Sequence, residues 1–148
     1  MRNYFLGLCL FFALCFTACS HSDDSVDVLI IGGGASGVTA GIQSARMGAA
    51  TLIVEETEWL GGMLTSAGVS AVDGNYDLPA GLFGEFREHL ADYYGGLDSL
   101  KTGWVSAVLF EPSVGNKIFH EMVDAEKNLK VWHLSLIHIS EPTRPLYI

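Results

Sequence analysis

The sequence predicts an α/β fold in which parallel strands alternate with helices, and three observations within one short stretch predict it. An apolar run, Val26-Asp27-Val28-Leu29-Ile30-Ile31, leads into Gly32-Gly33-Gly34-Ala35-Ser36-Gly37. From Ala35 to Met47, Val38, Ile42 and Ala45 recur at helical spacing, Gly48 stands at a C-terminal stop, and Arg46 brings positive charge to the last turn. A second apolar run, Thr51-Leu52-Ile53-Val54, ends at Glu55. Strand, helix and strand in that order make a βαβ unit, the building block of a parallel sheet.

The glycines and the acid divide the work of holding a dinucleotide. Gly32 allows the tight turn, Gly34 lets backbone approach a pyrophosphate, and Gly37 lets helix and strand pack closely. The pyrophosphate would lie over the helix N-terminus at Ala35 and Ser36, where unpaired N–H groups and the positive dipole end favour an anion. Glu55 follows Gly37 by 55 − 37 = 18 residues. A carboxylate there can accept both ribose hydroxyls, which disfavours a ribose 2′-phosphate.

The two ends of the 148-residue chain read differently from its middle. Arg2 is a positive n-region, Tyr4 to Phe16 an apolar h-region too short for a comfortable membrane span, and Thr17 and Ala18 are small residues before Cys19. Residues 1–18 resemble a bacterial lipoprotein signal with Cys19 as the lipidated residue, although Phe16 stands where that pattern usually has an aliphatic residue. The alternative is an ordinary secretory signal. Residues 19–25 form a polar, acidic tether. All three cysteines, Cys9, Cys15 and Cys19, fall in the leader, so the remainder has no disulfide, zinc site or cysteine nucleophile to offer. From Leu134 the text Leu-Ser-Leu-Ile-His-Ile-Ser-Glu-Pro-Thr-Arg resembles translated sequencing-library adaptor, so residues 134–148 are set aside from the fold. That leaves residues 26–133 as one partial domain, incomplete because a parallel sheet needs cover on both faces and both edges. With 8 Lys plus Arg against 17 Asp plus Glu, a net charge of −9, the chain gives no support for nucleic-acid binding.

Past Glu55 and Glu56 comes Thr57-Glu58-Trp59-Leu60-Gly61-Gly62-Met63-Leu64-Thr65-Ser66. Asp73 to Asp77 begins like a calcium loop, but Leu78 occupies the position that needs Gly and Gly84 the position that needs a bidentate Glu, so the segment reads as a polar turn. Pro79 suits the first turn of a helix carrying Phe83, Phe86, Leu90 and Tyr94, with Arg87 and His89 as solvated residues and Gly95-Gly96 ending it. Trp104 to Phe110 reads as a short strand. A Pro-led helix follows from Glu111-Pro112-Ser113, with Val114, Ile118, Phe119, Met122 and Val123 on one side, and Leu129 to Trp132 reads as a strand. His120 and His133 read as ordinary polar residues, without a neighbouring acid or metal spacing.

The Gly61-Gly62 pair a few residues beyond the ribose acid, together with the glycine loop, resembles the FAD-dependent oxidoreductases of the glutathione-reductase-type Rossmann class, relatives of the fumarate reductase and succinate dehydrogenase flavoproteins. The resemblance implies the N-terminal part of a Rossmann-like FAD-binding domain. It implies cofactor contacts from Gly32, Gly34, Ala35, Ser36, Gly37, Glu55, Glu56, Gly61, Gly62 and Met63, hydroxyl hydrogen bonds from Thr65 or Ser66, and backbone contact between Val131 and adenine. No histidine lies between Glu55 and Asp77 to link flavin covalently, so noncovalent FAD is expected. The chemistry implied is hydride transfer between a small molecule and flavin, in an exported, membrane-anchored protein, with substrate-facing residues downstream of this segment. Two readings remain beside it: an NAD(H)-binding dehydrogenase, and a noncatalytic surface lipoprotein that uses the βαβ unit for binding.

Overall fold

A computed structural model describes residues 25–74, 78–104 and 106–133. The leader, Cys19, most of the tether, Asn75 to Asp77 and the adaptor-like tail lie outside the described residues. The βαβ unit forms as expected: β1 is Val28–Ile31, α1 is Ala35–Arg46 and β2 is Thr51–Glu55. β1 and β2 are parallel, with Val28 opposite Thr51 and Ile31 opposite Val54. The chain then makes a 3-10 turn at Gly62–Leu64, a short β3 at Ala71–Val72, α2 at Gly81–Tyr94, a second 3-10 turn at Leu97–Leu100 and β4 at Val108–Leu109. α3, Pro112–Asp124, returns it to β5, Leu129–His133.

β5 adds in parallel to the far edge of β2, so the sheet order is β1-β2-β5 and β2 is central. Centrality explains why Thr51 to Val54 are all buried, whereas β1 alternates between partly buried and exposed residues. The covered face of the sheet packs on α1 and α3 around Val38, Ile42, Ile53, Ile118 and Met122. Phe86 of α2 stacks on Phe119 of α3 with centroids 4.4 Å apart, and meets Phe110 edge-on at 5.4 Å, which ties the segment between β2 and β5 into the same core.

Several boundaries differ from the expected ones. α2 starts at Gly81, two residues past Pro79, because Ala80 is its extended N-cap and Gly84 packs on the Pro79 carbonyl; a Cβ there would lie 2.8 Å from the carbonyl carbon. Gly95 ends that helix as expected, in a left-handed conformation with φ 85°. Arg87, expected on the solvated side, is buried. Among the described residues of the run Trp104 to Phe110, Val108–Leu109 is strand, pairing antiparallel with β3.

Candidate cofactor-binding site

The site lies at the carboxyl ends of β1 and β2, where open parallel sheets bind ligands. Leaving β1, the chain turns at Gly32, whose φ of 100° belongs to the left-handed region, and its N–H donates to the Val54 carbonyl at 2.8 Å. Gly37 is fixed by close approach: a Cβ would lie 2.0 Å from the Gly32 carbonyl oxygen. Gly34 caps α1, and a Cβ built on it meets nothing within 4 Å, so its free side opens outward. No side chain caps α1 and its first turn holds no acid. The first helical hydrogen bond runs from Val38 N–H to Gly34 O at 2.9 Å, so the N–H groups of Ala35, Ser36 and Gly37 precede the helical ladder and lie at the positive dipole end.

The second glycine pair closes one wall of this opening. Gly61 N–H donates to Gly33 O at 2.8 Å, and Gly61 bridges Gly34 in parallel. A Cβ on Gly62 would stand 3.0 Å from the Gly34 Cα, and one on Gly61 would lie 2.6 Å from the Phe119 ring, so the two glycine segments touch backbone to backbone. Met63 is exposed beside them. Thr65 is buried, and its hydroxyl donates to the Leu60 carbonyl at 2.6 Å, while the exposed Ser66 hydroxyl donates to Gly62 O at 3.2 Å. Both hydroxyls thus hold the loop in its shape. Asn116 of α3 does the same from outside, its Oδ1 accepting Leu60 N–H at 2.8 Å. Its role was invisible in the sequence, because nothing near Asn116 marks a partner 56 residues away.

Glu55 ends β2 facing the glycine loop. One carboxylate oxygen accepts Gly33 N–H at 2.5 Å; the other accepts Thr57 N–H at 3.0 Å and lies 2.8 Å from the Thr57 hydroxyl. Partial burial by itself would raise the carboxyl pKa, but the hydrogen bonds from Gly33 and Thr57, with the nearby His133, outweigh it and hold the group below its ordinary value of 4.5. Glu56 points to solvent.

The parallel register brings a further residue here. Val131 lies opposite Ile53 inside the sheet, partly buried against the core, whereas the residue opposite Glu55 is His133. The His133 Nδ1 lies 2.6 Å from the Thr57 carbonyl oxygen, and the His120 ring sits 5.6 Å from it, with Nε2 3.4 Å from the Glu58 carbonyl. His133 therefore has an acid beside it after all, supplied by strand pairing rather than by sequence neighbours.

An uncapped helix N-terminus, an open Gly34, a glycine wall and a preoriented acid define a dinucleotide-binding βαβ site, and they fit the adenosine-diphosphate half of FAD. The chain matches the FAD dependent oxidoreductase family over residues 27–138, and it belongs to that family. FAD is its cofactor. No curated protein matches it. Among solved structures it is similar to THI4 of Thermovibrio ammonificans, with 19% identity, a TM-score of 0.48, and 90% of this chain and 47% of that one covered. It is similar also to the HOCl-induced flavoprotein disulfide reductase RclA of Escherichia coli, with 14% identity, a TM-score of 0.38, and 72% and 21% covered. A shorter match, to the 3-ketosteroid-Δ4-(5α)-dehydrogenase of Rhodococcus jostii, has 36% identity and a TM-score of 0.26, with 39% and 11% covered. The chain thus spans about half the length of THI4.

Proposed function

We propose that the protein is an oxidoreductase that moves hydride between a small-molecule substrate and noncovalent FAD, and that it is an exported, outer-membrane or cell-surface lipoprotein anchored by a lipid on Cys19. The observation that carries the cofactor reading is the backbone contact between Gly34 and Gly61-Gly62 over an uncapped helix, with Glu55 already oriented by Gly33 N–H. Bound flavin supplies the two-electron chemistry. The chain's own residues bind and orient it: the first-turn N–H groups of α1 hold the pyrophosphate, Gly61 and Gly62 leave room beside it, and Glu55 accepts the adenosine ribose hydroxyls. The Thr57 hydroxyl has one proton and two acceptors in reach, Glu55 at 2.8 Å and the Trp59 carbonyl at 2.9 Å. Turning to Trp59, it frees a Glu55 lone pair for the ribose without leaving its proton unpaired.

Full-length protein purified without added cofactor should show oxidised-flavin absorbance, and Gly34→Val should lose at least about 90% of it, since a branched side chain would fill the pyrophosphate approach. A colourless wild-type protein that binds NAD(H) would replace this reading with the dehydrogenase one, and flavin that accepts no electrons would favour the noncatalytic one. The 148-residue chain alone should hold FAD substoichiometrically, because the site its described residues shape meets the adenosine-diphosphate half of the cofactor. Anchoring is tested separately. Cys19→Ser should move the protein from the membrane to the soluble fraction, and unchanged partitioning would leave an ordinary secretory signal as the better account.

A further inference from the structure

We infer that His133 is a positioning residue of the adenosine site, acting through the Thr57 turn on Glu55. This inference rests on the reading of Glu55 as the ribose acceptor. A carbonyl oxygen only accepts, so the His133 Nδ1 at 2.6 Å from Thr57 O carries the proton and donates it. The same Thr57 presents its N–H and hydroxyl to Glu55 Oε1, while Gly33 N–H holds Oε2. The carboxylate is therefore gripped from two sides, by the glycine loop and by a turn whose carbonyl is pinned to the end of β5. Register makes the pin possible: β5 runs parallel to β2 with His133 opposite Glu55, so the imidazole reaches the first turn beyond β2. Without it, the Thr57 peptide keeps its bonds to Glu55 but loses the tie that fixes the turn relative to the sheet, and the carboxylate gains freedom that ribose binding must remove.

The geometry distinguishes one ring nitrogen from the other. An asparagine amide nitrogen can take the place of Nδ1, close to the backbone, whereas a glutamine amide nitrogen reaches toward the place of Nε2, which in His133 is not the atom bonded to Thr57. His133 is exposed, so neither substitution removes core packing.

The test is the FAD dissociation constant of full-length apoprotein, read by quenching of flavin fluorescence, for wild type, His133→Asn and His133→Gln, each with and without Glu55→Gln. Apoprotein melting temperatures are measured alongside. His133→Gln should weaken FAD about 3- to 10-fold, the effect of losing one hydrogen bond. His133→Asn should stay within about twofold of wild type, and melting temperatures should hold within a few degrees. In the Glu55→Gln background the penalty of His133→Gln should largely vanish, because two residues acting on one contact are not additive. Equal losses for Asn and Gln, no loss for Gln, or a Gln penalty that persists in full without the Glu55 carboxylate would each overturn the role of His133. Should Glu55→Gln alone leave FAD affinity unchanged, the ribose reading of Glu55 itself fails, which is a different result from a silent His133→Gln in a protein where Glu55→Gln binds weakly.

Discussion

The two faces of the β1-β2-β5 sheet are finished to different degrees. On one, Ile30, Ile53 and Val131 meet α1 and α3 in a core where Ile53 has no exposed surface. On the other, Leu29 is 56% exposed, Ile31 64% and Trp132 47%. Parallel sheets usually have both faces covered, and here the first face is packed whereas the second keeps these three residues exposed at its edges. The cradle depends on the packed one: α1, whose uncapped N-terminus opens at Gly34, and α3, which carries Asn116 and Phe119 against the second glycine loop, both belong to that side. The cradle is thus set on the packed side, while on the other side Leu29, Ile31 and Trp132 are exposed although Leu52 and Val54 between them are buried.

That contrast predicts the largest effect. In the 148-residue chain, Ile53→Ala should cost about 2–5 kcal/mol of unfolding free energy, as large-to-small changes in closed cores do. Ile31→Ala, on the neighbouring strand but the open face, should cost less than about 1 kcal/mol, since little burial is lost. Urea unfolding of both variants measures the gap. In the full-length protein the gap should narrow as Ile31 becomes buried; an unchanged gap there would mean that the second face stays open to water.

The acid at the site should have a smaller effect with a clear sign. Glu55 has a folded pKa below its ordinary value of 4.5, so its stabilising contribution is fully present above that value and is lost as pH falls through the lower, folded one. Glu55→Gln should therefore cost about 1 kcal/mol at pH 7, the scale of a hydrogen bond to a partly buried group. Its unfolding should also vary less with pH than that of wild type across the window from 4.5 downward. Equal pH slopes for the two proteins would show that the Gly33 and Thr57 hydrogen bonds do not favour the ionised form.

The same division between local and distant causes decides what the sequence disclosed. Gly32, Gly34, Gly37 and Glu55 were legible because each answers to a local need: a turn, an open approach, a packing contact, a strand end. The helices were legible from apolar spacing, and Pro112 does start α3. β3 was not, since a two-residue strand carries no periodic pattern, and β4 was legible only as part of the longer run Trp104 to Phe110; the two pair as Ala71–Val72 with Val108–Leu109. His133 was passed over because its partner, Thr57, is 76 residues away and the pairing exists only in the register of β2 with β5. Thr65, expected as a cofactor contact from its place after Gly61-Gly62, has its hydroxyl buried and donating to Leu60 O, a bond that no local pattern announces.

Arg46 offers the finest test of how the covered side is fastened. Its place in the last turn of α1 suggested only a favourable charge for the dipole. In the fold its guanidinium makes two bonds to Glu85 of α2, at 2.7 and 2.8 Å, and one to Glu126 in the turn before β5, at 2.6 Å. The side-chain hydrogen bonds to Glu85 and Glu126 raise the Arg46 pKa, and Arg46 in turn lowers that of Glu85. About a third of the Arg46 side chain remains exposed, so water screens much of the attraction. Arg46→Met keeps the apolar stem and leaves two carboxylates facing each other, and it should cost about 1 kcal/mol at low salt. The loss should shrink as ionic strength rises and the Debye length falls below the spacing of the charges. Lys130→Met, on the open face, should stay within about 0.5 kcal/mol at any salt. A salt-independent loss at Arg46 would assign the contribution to packing of the stem, and the three elements it joins would then be held by apolar contact alone.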